Sequence, residues 1–268
     1  EAATQAIELD PASLPAYRIR ANSYRQTAND LLAADDYTMV IELDPDDSAA
    51  YFYRGLTRYR AEFEDNEVIL SDLNRAEELG FFDEAWLYNV RGLTHNRLGN
   101  YDLAIEDMTR AIDISPTYSS AVSNRAWILG ESLGEWAASV PDRKTVLLEL
   151  DPNSASSYNN LAWAYVQLEQ FQEALEFVNI ALDIEPDESN SVDTRGWAYL
   201  GLDEYDLAEA EFNRAIELGN IYSYWGLGEL YFELGDIDRA IENLEIYIEE
   251  EGVFAEQEAI DLLNELTE

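Results

Sequence analysis

Cysteine is absent from the 268 residues, which excludes disulfides and thiolate metal sites and leaves the redox compartment open. Histidine occurs once, at His95, and lysine once, at Lys144. A lone imidazole has no second His or Cys to converge with, so no metal site is expected. Carboxylate runs such as Asp35-Asp36, Asp46-Asp47 and Glu249-Glu250-Glu251 lack the glycine-bearing loop that calcium sites use, and no cofactor is indicated. Acidic residues outnumber basic ones 56 to 16, for a net charge of −40. Such a surface repels phosphate backbones, so nucleic acid is not expected as a partner. No stretch is apolar over the length of a membrane span. The sequence also opens at Glu1 without an initiator methionine or a visible signal peptide, which reads as a processed or excised chain compatible with either side of a membrane.

What is present is apolar residues at 47% and aromatic ones at 12%, enough to build a core. Residues 85–118 form a unit whose weaker copies recur in both directions. Numbered from 1 to 34, the unit has Gly92 at position 8, Tyr101 at 17, Ala104 at 20, Ala111 at 27 and Pro116 at 32. Small residues at 8 and 20 let two helices approach closely. Leu98-Gly99-Asn100 stops the first helix and turns the chain, and the proline ends the second. This pattern resembles the tetratricopeptide repeat. The resemblance implies an all-α fold, an α-solenoid in which helix-turn-helix repeats form a right-handed superhelix.

On this period the chain reads as one solenoid over 1–268. Residues 1–13 are a partial repeat with only its second helix, full repeats occupy 14–47, 48–84, 85–118, 119–154, 155–188, 189–220 and 221–254, and 255–268 form a terminal helix. The 48–84 repeat is longer, and Gly80-Phe81-Phe82 predicts a bulging turn. The 119–154 repeat is also longer and contains Pro141, which is expected in the first turn of a late-starting second helix because an interior proline costs about 3 kcal/mol.

Comparing the repeats with one another exposes a pairing. Position 7 is Arg20, Arg54, Arg91 or Arg195 where position 23 is Asp36, Asp72, Asp107 or Glu211, while the 155–188 repeat has Leu161 and Phe177 instead. Charge goes with charge and apolar with apolar, as expected of two positions in contact, and the pairing is read as structural. Leu227 with Asn243 departs from it, and Arg125 has an ambiguous register near Asp142 and Arg143. His95 stands at position 11, where other repeats carry Tyr24, Tyr165, Tyr199 and Tyr231, and is read as a packing residue.

In the family the sequence resembles, the first helices line a concave groove through positions 2, 5, 9, 12 and 13. Carried onto this chain, those positions are basic and amide-rich in the first half, with Arg18, Asn22, Arg25, Phe52, Arg60, Trp86, Asn89, Asn96 and Arg97. They are aromatic in the second, with Trp127, Trp163, Trp197, Trp225 and Phe232. Large apolar side chains on an open surface mark contact sites. Arg18 and Asn22 resemble the start of the family's carboxylate clamp, but Tyr53, Trp86 and Val90 break the match. The expected function is therefore a non-enzymatic scaffold binding a partner protein or peptide in the groove, with no catalytic residues. Two alternatives are weighed. One is head-to-tail self-assembly into a filament, joining Ala3, Ile7 and Leu9 to Ala259, Leu262, Leu263 and Leu266. The other is an all-helical glycosidase working through two carboxylates, which an open superhelix disfavours.

Overall fold

The first helix of a repeat begins where an acidic or hydroxyl side chain meets the free amides of the first turn. Asp47 accepts from the Ala50 N–H at 3.0 Å, Asp83 from Trp86 at 3.2 Å and Ser154 from Ser157 at 3.3 Å. It ends at a residue in the left-handed region, at position 15: Ala28, Glu62, Gly99, Glu169, Asp203 and Gly235 have φ between 54° and 74°. At Gly99 the turn is closed by hydrogen bonds from Asn100 N to His95 O and from Gly99 N to Asn96 O, both 2.9 Å, which satisfy carbonyls the helix leaves open.

A computed structural model describes residues 1–62, 65–81 and 83–267. Phe82, part of the turn expected to bulge, and Glu268 lie outside the described residues. The fold is all-α, with sixteen α-helices and no strand among the described residues. The helices group into two compact units, Glu1–Leu133 and Gly134–Glu268. The first contains α1 (Ala2–Leu9), α2 (Leu14–Gln26), α3 (Asp30–Leu43), α4 (Ser48–Arg60), α5 (Asn66–Glu78), α6 (Glu84–Arg97), α7 (Tyr101–Ile114) and α8 (Ser119–Trp127). The second contains α9 (Trp136–Thr145), α10 (Ala155–Gln167), α11 (Phe171–Ile184), α12 (Ser189–Leu200), α13 (Tyr205–Glu217), α14 (Ser223–Glu233), α15 (Ile237–Glu251) and α16 (Gln257–Thr267).

Close packing within a helix pair rests on the small residues. On α6, a Cβ at Gly92 would stand 3.1 Å from the Ala104 carbonyl oxygen of α7, and Ala104 and Ala111 are fully buried. Phe212 of α13 fills the space left by two glycines, Gly196 of α12 and Gly226 of α14. The paired positions 7 and 23 do meet. Arg20 and Asp36 are joined by two hydrogen bonds of 2.7 Å, Arg54 and Asp72 by bonds of 2.9 and 2.5 Å, and Arg195 donates to Glu211 at 2.8 Å. Leu161 and Phe177 occupy the same apolar cluster on α10 and α11.

Two expectations are corrected. Pro141 lies inside α9, which begins at Trp136 and does not start late. Its ring is exposed, as is Ala137 one turn earlier, so the carbonyl that loses its donor faces solvent. The two extra residues of this repeat are absorbed instead by two π-helical turns, Ile128–Ser132 after α8 and Val146–Leu150 after α9, each of which takes up one residue. The turn glycine therefore moves from position 15 to 16, at Gly134. Phe52, assigned to the groove, is fully buried and stacks on Phe81 with ring centroids 4.2 Å apart. Gly80 and Phe81 close α5 in a left-handed turn that folds Phe81 into the core, Phe81 N donating to Ala76 O at 3.0 Å.

At the other end, α16 packs on α15. Ala259 is buried, and Leu262, Leu263 and Leu266 lie against Leu244 and Tyr247. The acidic residues Glu258, Asp261 and Glu265 face water.

Candidate functional site

Positions 5 and 9 of a first helix are one helical turn apart and project from the same face. In the second unit this places Asn159 and Trp163 together on α10, and Asp193 and Trp197 together on α12, with Trp225 following on α14. The three indoles form a row. Trp163 and Trp197 have centroids 6.4 Å apart at 71°, Trp197 and Trp225 5.1 Å apart at 69°, and Trp225 stacks on Tyr247 at 6.0 Å. Edge-to-face packing of this kind stabilises each pair by about 0.5–1.5 kcal/mol beyond burial. The tryptophans thus support one another and still keep part of their surface open, since all three are only half-buried.

Beside the row opens a cavity of about 260 Å³, lined by the three tryptophans with Asn159, Asn160, Asn190, Asp193, Thr194, Asn220, Tyr222 and Glu256. Its polar wall is partly pre-arranged. Asn220 Nδ2 donates to Asn190 Oδ1 at 3.1 Å, and Asn220 Oδ1 accepts from Ser223 N at 3.3 Å. Asn159 Oδ1 is buried and accepts no hydrogen bond. Asp193 is buried and accepts from the Ser223 hydroxyl at 2.5 Å. Burial pushes its carboxyl up to about 7, against the opposing hydrogen bonds from Ser223 and the Trp197 indole. Glu256, at the edge, is raised by the same cause to a smaller degree.

The remaining sequence-predicted residues are placed differently. Phe232 lies in the cluster of Leu230 and Tyr231, away from the cavity lining. In the first unit the basic residues are engaged by the chain itself. Arg18 pairs with Asp47 at 2.5 Å and Arg60 with Asp30 at 3.4 Å, Arg25 lies 4.5 Å over the Tyr53 ring, and Arg97 lies 3.6 Å over Tyr59 while donating to its carbonyl. Asn22 accepts from the Tyr37 hydroxyl at 3.0 Å, Asn89 from Asn124 at 2.9 Å and Asn96 from Ser132 at 3.2 Å. Trp86 packs edge-on against Phe52 at 4.8 Å and lines a shallow cavity of about 500 Å³ with Ile114 and Tyr118. Trp127 is 48% exposed.

Of the proposed assembly ends, Ala3 is half-buried, Ile7 packs against the cluster of Tyr17, Ala21 and Tyr37, Leu9 is exposed, and the α16 leucines are half-buried against their own unit. His95 is pulled below the usual imidazole value by burial. Among the described residues no group of three or more His, Cys, Asp or Glu can hold a metal ion, and no helix is long and apolar enough to cross a membrane.

Asn159, Asn190, Asp193 and Asn220 escaped the sequence reading, which weighed only the aromatic residues of this half. The signal was present, since Asn159 and Asp193 stand at position 5 and Asn190 at position 2.

Family profiles for the tetratricopeptide repeat match residues 87–118, 145–176 and 194–251. No curated protein matches the chain. Among solved structures, it is similar to a tetratricopeptide repeat protein from Parabacteroides merdae, with a TM-score of 0.76 at 14% identity over 96% of this chain and 99% of that one. It is also similar to YrrB, described as a protein of this repeat class with an unusual peptide-binding site, with a TM-score of 0.59 at 24% identity over 72% and 96% of the two chains. A third similarity is to MamA from Desulfovibrio magneticus, with a TM-score of 0.57 at 20% identity over 64% and 94%. At these identities the likeness concerns the fold.

Proposed function

Because the chain is a tetratricopeptide-repeat protein, we propose that it is a non-enzymatic scaffold that binds a segment of a partner protein on the first-helix face of residues 134–268. The observation that carries this reading is the row Trp163–Trp197–Trp225 set beside a wall of side-chain amides. Half-open indoles supply apolar area at low conformational cost, which is why tryptophan dominates the energetics of contact sites. An asparagine has two donors and an acceptor carbonyl, so a bridged pair such as Asn190 and Asn220 keeps hydrogen-bonding capacity for a peptide backbone. The peptide-binding site named for YrrB favours the same kind of ligand. The arginines of the first unit contribute less, since Arg18, Arg60 and Arg97 are engaged internally.

Selection of a phage-displayed random peptide library on the purified protein tests this. Peptides that bind the native protein and lose about 2 kcal/mol or more against Trp163→Ala with Trp197→Ala support the reading. Selected peptides that bind the double variant equally well remove it.

A further inference from the structure

The buried Asp36, Asp72 and Asp107 each face a guanidinium, that of Arg20, Arg54 and Arg91 in turn. Asp193 is buried to the same degree and has no such partner among the described residues. It accepts from the Ser223 hydroxyl, and the nearby charge that acts on it is another acid, Glu188. It nevertheless lies on the wall of an open cavity with Trp163, Trp197 and Trp225. Asn159 brings a second acceptor to the same wall, a buried carbonyl oxygen with no donor. Glu256 adds a carboxylate, and none of the described lining residues is basic.

Each of these groups asks the same thing of a ligand. An indole face attracts a cation within about 6 Å of its centroid, and three indoles line this cavity, neighbouring rings being set at 71° and 69° to one another. Ionising a buried carboxylate with no cationic partner is costly, and a cation entering beside it offsets that cost. An anionic or purely apolar group would leave the Asn159 oxygen without a donor and Asp193 without a counter-charge. The volume of about 260 Å³ lies below the roughly 300–1,000 Å³ of small-molecule sites and suits one side chain. At a net charge of −40 the field of the whole chain also draws basic segments toward it.

We infer that this cavity receives the cationic side chain of an arginine or lysine in the partner segment, with the three indoles around it and the Asp193 carboxylate and the Asn159 carbonyl oxygen accepting its N–H groups. The inference rests on the reading of this face as a peptide-binding surface. Without ligand, Asp193 holds its proton up to about pH 7; the arriving cation favours the ionised carboxylate, and the proton passes to solvent.

The selected peptides provide the test. They are expected to carry an arginine or lysine whose replacement by leucine weakens binding by about tenfold or more. Asp193→Asn, which keeps an acceptor for Ser223, is expected to weaken the basic peptide by a similar factor and to leave its leucine version unchanged. Peptides that depend on Trp163 and Trp197 but contain no basic residue, or that bind Asp193→Asn as tightly as the native protein, overturn the inference and leave the peptide-binding reading standing. A selection that yields nothing dependent on the tryptophans overturns both.

Discussion

Arg91 and Asp107 are joined by two parallel hydrogen bonds, Nε to Oδ2 and NH2 to Oδ1, each 2.8 Å long and both buried. The third guanidinium nitrogen reaches the preceding helix, where it donates to Asn74 at 2.9 Å and to Glu77. The same reach recurs along the chain, from Arg20 to Thr4, Arg54 to Thr38, Arg125 to Thr109 and Arg195 to Asn179, at 3.0 to 3.4 Å. Arg20, Arg54, Arg91 and Arg195 therefore each bond their own helix pair together, and all five arginines reach the second helix before them.

Removing one partner is expected to cost more than removing both. Arg91→Leu leaves the buried Asp107 carboxylate uncompensated, a loss of about 3–5 kcal/mol. Adding Asp107→Phe reproduces the Leu161 and Phe177 pair, and much of the loss should return, because Asn74 and Glu77 can rehydrate. Urea denaturation of the four proteins of the cycle measures the coupling, and strictly additive effects would contradict it.

Phe212 is held between Gly196 and Gly226, with a Cβ on Gly196 falling 2.7 Å from Phe212 Cδ1 and one on Gly226 closer still. Gly226→Ala should destabilise by about 1–3 kcal/mol through overpacking. Adding Phe212→Leu should relieve the clash, so that Gly226→Ala costs less in that background than in the native one. An equal cost in both would mean that the ring does not fill the space between the glycines.

Pro141 denies the exposed Ala137 carbonyl its helical donor. Pro141→Ala should raise stability by about 1–3 kcal/mol, read from the midpoint of thermal or urea unfolding. A fall in stability would show that the ring serves the π-helical turn that follows.

The 34-residue period and the arginine–acid pairing were legible because repeats within one chain report on each other, and Leu161 with Phe177 is as informative as the charged pairs. The acceptors at position 25 were not, because Thr4, Thr38, Asn74, Thr109 and Asn179 share a hydrogen-bonding role and not a residue type. Pro141 was misplaced for a different reason: an inserted residue can be absorbed by a π turn inside a helix as well as by a later start, and the composition of the two alternatives is the same. The cavity was missed because its wall is assembled from three first helices and the segment before α16, while Phe52 was misassigned because a groove position in one repeat can turn inward when its neighbour supplies Phe81.

Burial raises the Asp193 carboxyl from its ordinary 3.8 to about 7. The folded chain then keeps a proton that the unfolded chain gives up, so this group lowers stability as pH rises through the window from about 4 to about 7, and the whole cost is present above it. Asp193→Asn has no such cost. The stability of the variant relative to the native protein should therefore increase across that window, by on the order of a few kcal/mol. A difference that stays constant with pH would mean that Asp193 ionises as an exposed carboxylate does.

The most direct measurement of the binding face uses the six tryptophans of the chain as reporters. With fluorinated tryptophan incorporated and each signal assigned by a Trp→Phe variant, a selected arginine-bearing peptide is titrated against the intact protein. The signals of Trp163, Trp197 and Trp225 are expected to move together and saturate, while those of Trp86, Trp127 and Trp136 hold their positions. Saturable movement of the latter three with the former unchanged would place the partner elsewhere and contradict the account.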